Sequence, residues 1–149
     1  MEKFETTKYD VALTAQDSKK WELVTLVEQF RQGLAQHSVV ATLETGLFLL
    51  ATIGMNFGLL LPGVDGGYKQ IAEMVREEKV RLVIFLHGPD LNLKDHGVME
   101  LLRACISQNI PFANNATTAE FILQRFLEKE MATYWRCPEI RPDREAVEV

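Results

Sequence analysis

The run VRLVIFL, residues 80–86, decides the fold of this chain. Six of its seven residues are apolar, and Val80, Val83 and Ile84 are branched at Cβ, as is typical of a strand buried on both faces of a parallel sheet. The run is too short for an ordinary helix, and amphipathic helical patterns flank it over Gly67–Lys79 and Val98–Gln108. We therefore predict a buried strand between two helices.

The same alternation of strand and helix continues in both directions along the chain. Right-handed crossovers between parallel strands place helices on both faces of a sheet. We predict an α/β fold, a three-layer sandwich with a five-stranded, mainly parallel, doubly wound sheet. The other predicted strands are Tyr9–Ala15, Ser38–Thr42, Phe57–Leu61 and Ile110–Ala113, with Ala132–Arg136 as a candidate edge strand, and the other predicted helices are Lys19–Ala35, Thr45–Ile53 and Thr117–Phe126.

Length and composition exclude several classes of protein. The 149 residues suit a single domain, 1–149, with a core over about 9–127 and an acidic, proline-containing tail over 138–149. A net charge of −5 provides no basic surface for nucleic acid. No apolar run suits a signal peptide or a membrane span, so we expect a cytoplasmic protein. We expect Cys105 and Cys137 to be free thiols, because two distant cysteines make no disulfide framework.

The segment Thr42-Leu-Glu-Thr-Gly46 joins a predicted strand to a predicted helix at the carboxyl edge of the sheet. Ligands of such sheets bind at this edge, where free backbone N–H groups of helix N-termini favour anions. The hydroxyl groups of Thr42 and Thr45 would hold an anion, whereas Glu44 would repel it. The alternative is that Thr45 or Glu44 only caps the helix.

A second loop at the same edge, Pro62–Gly67, contains three glycines that allow a close approach of the backbone to a ligand. It lacks the lysine and hydroxyl of a phosphate-binding P-loop, so a plain turn is the alternative interpretation. Lys20 would supply a cation here or lie at the surface. Asp17 would cap the first helix or serve as a carboxylate in the pocket.

Metal and cofactor chemistry is not indicated. Two histidines and two aspartates lie in the loop His87–Gly97, but their spacing matches no recognised pattern of metal ligands. No serine or cysteine stands in the context of a nucleophile elbow. We therefore predict neither a metal site nor a cofactor.

Seven segments follow one another along nearly the whole predicted core. They are VALTAQDSKK (11–20), VATLETG (40–46), ATIGMN (51–56), PGVDGGYKQIA (62–72), LVIF (82–85), LLRA (101–104) and IPFANNATTAEFIL (110–123). Together they resemble the methylglyoxal synthase family, whose enzymes eliminate phosphate from dihydroxyacetone phosphate. There a carboxylate removes a proton beside the carbonyl group, and the enediolate then expels phosphate. The resemblance implies a small phosphorylated metabolite or phosphate as ligand, and a homo-oligomer, commonly a hexamer.

The resemblance also implies a phosphate pocket, most of which is present. In the family this pocket uses a lysine in the first helix, threonines after the second strand and a Ser-Gly pair before the two glycines. Two positions depart from that pattern, because Glu44 replaces a threonine and Pro62 replaces the serine. The matching positions are Lys20, Thr42, Thr45 and Gly63.

The catalytic positions depart further from the family. Its base is the aspartate directly after the two glycines, and Tyr68 occupies that position here. A phenol, with a pKa near 10, is a poor base at neutral pH. The family's histidine before the first-strand aspartate is replaced by Gln16, although Asp17 itself is kept. His96 is a candidate counterpart of the family's second histidine.

Three hypotheses follow from this mixture of matches and losses. The favoured one is a relative that has lost or altered catalysis and keeps the pocket for a small anion, as does the allosteric domain of carbamoyl-phosphate synthetase. The second is an active synthase that uses Asp17 or Asp65 as its base, and the third is a lyase or isomerase of another sugar phosphate. The candidate binding residues are Gln16, Lys20, Thr42, Glu44, Thr45 and Gly63.

Overall fold

A five-stranded sheet forms the centre of the computed structural model, which describes residues 9–128. Its strands are β1 (Val11–Ala15), β2 (Val39–Ala41), β3 (Gly58–Leu59), β4 (Leu82–Leu86) and β5 (Phe112–Ala113). They stand in the order β3-β2-β1-β4-β5, and every neighbouring pair is parallel. β1 is central, with Val11 opposite Val39 on one side and Leu82 on the other.

Helices connect the strands and cover both faces of the sheet. Short 3-10 helices, Asp17–Lys19 and Gly63–Asp65, follow the carboxyl ends of β1 and β3. The α-helices are α1 (Lys20–Gln29), α2 (Arg31–Ala35), α3 (Leu43–Ile53), α4 (Gly67–Arg76), α5 (His96–Gln108) and α6 (Ala116–Phe126).

Each face of the sheet has its own hydrophobic core, because alternate residues of a strand point to opposite sides. Val11 and Leu13 of β1 belong to the core beneath α1, α3 and α6. Ala12, between them, belongs to the core beneath α4 and α5. Leu13 and Ile71, one from each core, are fully buried. The predicted three-layer α/β sandwich is confirmed, with a sheet that is parallel throughout.

The first helical region differs from the prediction of one helix over Lys19–Ala35. The structure divides it at Phe30, whose N–H is shared between the carbonyl groups of Leu26 and Val27. The chain turns there before α2 begins, and Leu34 of α2 is fully buried. Apolar residues are spaced alike on both sides of the bend, so the pattern cannot show the break.

Trp21 shares the three- and four-residue spacing of the apolar residues of α1 but lies outside the core. The helical pattern places it on the buried face, but its side chain is 65% exposed. The ring instead packs edge-on against Phe48 of α3, with 5.0 Å between ring centroids. Trp21 therefore covers the outer side of a neighbouring helix rather than the core.

Further predictions concern residues outside the five observed strands. Cys105 is buried and free, as predicted, and burial raises the pKa of its thiol to about 12. Cys137, the candidate strand Ala132–Arg136 and the tail 138–149 lie outside the described residues. Within residues 9–128, none of the helices has the length and apolar character needed to cross a membrane.

Candidate functional site

Three threonine hydroxyl groups meet at the carboxyl edge of the sheet, where β1 and β2 end. Oγ1 of Thr14 lies 2.7 Å from Oγ1 of Thr42, and the Thr42 hydroxyl donates to Oγ1 of Thr45 at 3.2 Å. Oγ1 of Thr45 also accepts the N–H of Ala15 at 3.1 Å. All three threonines are at most 2% exposed. We call these three residues the hydroxyl cluster. Each of their hydroxyls has a hydrogen-bonding partner, as buried polar groups generally do.

The helix that follows the cluster is not capped as the alternative interpretation predicted. α3 begins at Leu43, and its N-cap residue is Thr42, without a hydrogen bond from a capping side chain. Capping by Thr45 or Glu44 is therefore wrong. Thr45 lies inside the first turn and directs its hydroxyl to β1, while Glu44 lies exposed in the same turn.

Lys20 brings a positive charge to the same edge. Its side chain is only 12% exposed, so it is not the surface lysine of the alternative interpretation. Nζ donates to the carbonyl oxygen of Ala15 at 3.1 Å and to a carboxylate oxygen of Asp17 at 2.6 Å. Because the N–H of Ala15 bonds to Thr45, the ammonium group and the hydroxyl cluster meet at one residue.

Asp17 lies in solvent beside this ammonium group. Its side chain is 98% exposed, and the N-cap residue of α1 is Lys19, so Asp17 does not cap that helix. The hydrogen bond from Lys20 and the charge of the ammonium group lower the pKa of the Asp17 carboxyl. A paired carboxylate with a lowered pKa is a weak proton acceptor.

Gln16 ties the end of β1 to the end of β4. Its N–H donates to the carbonyl of Leu86 at 2.9 Å, and its Oε1 accepts the N–H of Gly88 at 2.9 Å. The side-chain NH₂ group is therefore what Gln16 would offer to a ligand.

The glycine loop, residues 62–67, connects β3 to α4. It forms the 3-10 helix Gly63–Asp65 and turns at Gly66, whose φ of 120° favours glycine. Oε1 of Gln70 accepts the N–H of Leu61 at 2.8 Å, which fixes the start of the loop against α4.

Tyr68, in the first turn of α4, fills the space between the glycine loop and the hydroxyl cluster. It is 7% exposed, and its ring stacks on Phe85 of β4 with 4.9 Å between centroids. A Cβ atom added to Gly63 would lie 2.5 Å from Cζ of Tyr68, so the ring lies directly on this glycine. The phenol hydroxyl lies close enough to Thr14 for that side chain to lower its pKa. One side chain thus contacts both sides of the site.

The phenol of Tyr68 is neutral at physiological pH. Burial raises its pKa above the usual value near 10, and the negative charges of Asp95 and Glu44 raise it further. The hydrogen bond with Thr14 acts in the opposite direction and is the smallest influence. Tyr68 therefore supplies a hydroxyl group but no base at neutral pH.

A cavity of about 460 Å³ opens outside Tyr68, between the glycine loop and the start of α5. Its walls include Gly63 and Gly97, the two glycines that contact the Tyr68 side chain. We call it the outer cavity. Its charged and polar lining consists of Asp65, Lys69, Lys94, Asp95 and His96.

Comparison with known proteins identifies the family. Over 117 residues the chain is 37% identical to a methylglyoxal synthase of Thermoanaerobacter sp. (strain X514), which covers 77% of this chain and 88% of that relative. It is likewise 37% identical over 116 residues to the methylglyoxal synthase of Carboxydothermus hydrogenoformans, covering 76% and 95%. This chain belongs to the methylglyoxal synthase family.

A solved structure agrees with this assignment. The crystal structure of a methylglyoxal synthase from Elizabethkingia anophelis NUHP1 has a TM-score of 0.73 with this chain at 28% identity, covering 89% of this chain and 95% of that one. The search of protein-family models matched none. The α/β fold is therefore that of the methylglyoxal synthase family.

The structure brings some of the family's positions together and separates others. Lys20, Thr42 and Thr45 meet around Ala15. Gly63 lies across the site from them, with Tyr68 in between. Of the two carboxylates named as possible bases, Asp65 lines the outer cavity, and Asp17 lies in solvent. No three His, Cys, Asp or Glu side chains within residues 9–128 are grouped to hold a metal ion.

Sequence reasoning missed three residues that shape the site of this methylglyoxal synthase relative. Thr14 belongs to the hydroxyl cluster, and its signal was present, since it is the one polar residue of β1. Phe85 supports the Tyr68 ring, and Asp95 acts on the phenol by its charge. Neither role has a signal in the sequence, because the first depends on how α4 packs on β4 and the second on how α4 meets α5.

Proposed function

We propose that this chain is a divergent member of the methylglyoxal synthase family that binds a small phosphorylated or anionic ligand and has lost or altered the elimination reaction. The observation that carries the proposal is the state of Tyr68. Where the resemblance expects a carboxylate base, the chain has a buried phenol with a raised pKa. Proton abstraction needs a base that is deprotonated at the working pH, and a neutral phenol does not meet this requirement.

The binding part of the proposal rests on the groups around Ala15. Lys20 provides a positive charge, Thr42 and Thr45 provide hydroxyl groups, and the N-terminus of α3 adds a favourable dipole. Glu44, in the first turn of α3, opposes an anion. Since these donors outnumber the carboxylates of Glu44 and of Asp17, which pairs with Lys20, we expect weak binding, with a dissociation constant on the order of high micromolar to millimolar.

Activity towards dihydroxyacetone phosphate tests the catalytic part. We expect the wild-type protein to form methylglyoxal at a rate close to the uncatalysed background, because its family's base position holds a neutral phenol. A Tyr68→Asp variant, which restores a carboxylate at that position, is the comparison. Wild-type turnover on the order of 1 s⁻¹ or faster would contradict the proposal.

Titration with inorganic phosphate, by calorimetry or NMR, tests the binding part. Lys20→Ala should weaken binding, and Glu44→Thr should tighten it by removing a repulsive charge. Lys19→Ala is the matched control, because Lys19 pairs instead with Glu22 at 3.0 Å. If neither Lys20→Ala nor Glu44→Thr changes the affinity, the anion does not bind at this place.

A working synthase with another carboxylate as base is the second candidate. The observation that favours it is the position of Asp65, which lines the outer cavity together with Lys69. Asp17 is the other candidate base, although it is paired with Lys20. If the wild-type protein is active, Asp65→Asn or Asp17→Asn should abolish turnover while phosphate binding persists. That result would replace the first proposal.

We also propose a homo-oligomer, a hexamer by the family's pattern, in the cytoplasm. Large apolar side chains on and around α1, α3 and β3 are exposed, and a second copy of the chain would cover them. Light scattering at micromolar concentration measures the assembly, and a monomer of 17.0 kDa would contradict it. The exposed fractions lie between 42% and 65% for Trp21, Leu47, Leu50, Leu59 and Leu61.

A further inference from the structure

Tyr68 occupies the space between the two walls of the proposed anion site. One wall is Gly63, where an added Cβ would lie 2.5 Å from Cζ, 2.6 Å from Cε1 and 2.8 Å from the hydroxyl oxygen of Tyr68. The other wall is the hydroxyl cluster, which the phenol meets at Thr14. An anion held by these same walls would need the volume that the ring fills. Ring and anion therefore exclude each other.

Several contacts hold the Tyr68 ring in this position. It stacks on Phe85 with an angle of 30° between the ring planes, and Gly97 of α5 approaches its Cβ. Its hydroxyl lies near Thr14, whose own hydroxyl is bonded to Thr42 at 2.7 Å. Aromatic stacking and burial of the ring are both favourable, so moving the ring out of the site has a free-energy cost.

We propose that Tyr68 closes the inner anion subsite, formed by Lys20, the hydroxyl cluster and Gly63, and that an anion binds there only after the phenol side chain has left. The inference rests on the proposed function, because it concerns the same site. Tyr68 then determines both affinity and selectivity. The ring lies between Gly63 and the hydroxyl cluster, and a ligand must displace it to reach the cluster.

The size of the effect follows from the population of the open state. An apparent dissociation constant equals the intrinsic one divided by the fraction of molecules that are competent to bind. Minor conformations of proteins are commonly populated at about 0.1–10%. A small side chain at position 68 removes this factor, so phosphate binding should tighten by about tenfold or more. The tighter binding should still require Lys20, which supplies the charge.

Phosphate titrations of a set of variants test the inference, with circular dichroism as the check on folding. Tyr68→Ala should bind about tenfold tighter than wild type or better, and adding Lys20→Ala should remove the gain. Tyr68→Phe is the matched control, because it keeps the ring and should not tighten binding. Tyr68→Leu keeps an apolar contact with Phe85 but is too short to reach Thr14. It replaces Tyr68→Ala if that protein does not fold.

The outcomes separate this inference from the proposed function. If wild type binds phosphate through Lys20 and the shortened variants bind no tighter, the inference is overturned and the proposed function stands. A second outcome is that wild type does not bind phosphate, whereas a shortened variant binds it and requires Lys20. In that case Tyr68 closes the subsite, and the proposal that the natural protein binds an anion there is overturned. If no folded variant binds phosphate, both are overturned. Tightening by Tyr68→Phe as strong as by Tyr68→Ala would show that the hydroxyl, not the ring, blocks the site.

Discussion

On the β1–β2 side of the candidate site the hydroxyl cluster is complete, whereas on the α4 side one tyrosine fills the space that faces it. The cluster's hydroxyls satisfy one another and the N–H of Ala15 without any ligand. Thr42 and Thr45 therefore have a structural role of their own. Their presence in the family's motif is therefore weak evidence for ligand binding. Tyr68, which faces them, carries more information about function.

The largest effect should come from breaking the cluster. Thr45→Val keeps the shape of the side chain but leaves the buried N–H of Ala15 without its acceptor, so the free energy of unfolding should fall by about 1–3 kcal/mol. Thr52→Val is the matched control on α3, because Thr52 is exposed and donates to the carbonyl of Phe48, so we expect a change within about 0.5 kcal/mol. Urea unfolding measures both. Equal losses would mean that the cluster has no special structural role.

A smaller effect should come from the α4 side. Tyr68→Phe keeps the ring on Phe85 and removes one hydroxyl, while Thr14 keeps its bond to Thr42, so stability at neutral pH should fall by about 1 kcal/mol or less. Urea unfolding near pH 7 gives this value. A loss as large as that of Thr45→Val would mean that the phenol belongs to the cluster rather than merely contacting it.

The same pair of proteins gives a specific pH dependence. Because the folded pKa of Tyr68 is raised, the folded state holds the phenolic proton more tightly than the unfolded chain does. The stability that this contributes is fully present below the unfolded pKa of about 10 and is lost as the pH rises through the folded value. Wild type should therefore lose its advantage over Tyr68→Phe in alkaline solution. An advantage that stays constant above about pH 10 would contradict the raised pKa.

The smallest effect connects the two sides. The charge of Glu44 raises the pKa of Tyr68, so Glu44→Gln should move that pKa downward, while burial still keeps it above its usual value. Absorbance of the tyrosinate, after subtraction of Tyr68→Phe spectra, reports this titration. Glu22→Gln is the control, since Glu22 pairs with Lys19 on the surface. If Glu44→Gln leaves the pKa of Tyr68 unchanged, the Glu44 carboxylate lies too far away to repel a bound anion.

The fold could be predicted from the sequence where burial alone decides it. All five residues of β4 are buried, and a strand buried on both faces must be a continuous apolar run. Strand ends were not predictable, because pairing depends on the neighbour. Of the predicted strand Phe57–Leu61, only Gly58–Leu59 pairs with β2, opposite Val40 and Ala41. The break at Phe30 was not predictable either, because the spacing of apolar residues continues across it.

The site could be predicted only where a motif names the residue. The order of the strands brings Lys20, Thr42 and Thr45 to one edge, although their role in binding stays a prediction. The motif also places Tyr68 where a base is expected. It does not reveal that the ring lies between Gly63 and Thr14, because that depends on the direction of α4 and on a side-chain rotamer.

The central position of β1 has a consequence for biosynthesis. Of the five strands, β1 leaves the ribosome before the others, yet Val11 must pair with Val39 on one side and with the much later Leu82 on the other. Chains grow at about 5–20 residues per second, so β1 and β2 exist for seconds before β4 does. During that interval one edge of an apolar strand has no partner, and such edges are templates for aggregation. We therefore expect the yield of folded protein in cells to depend on how quickly residues 82–86 are synthesised after residues 11–15. Measurements on the folded protein do not report this dependence.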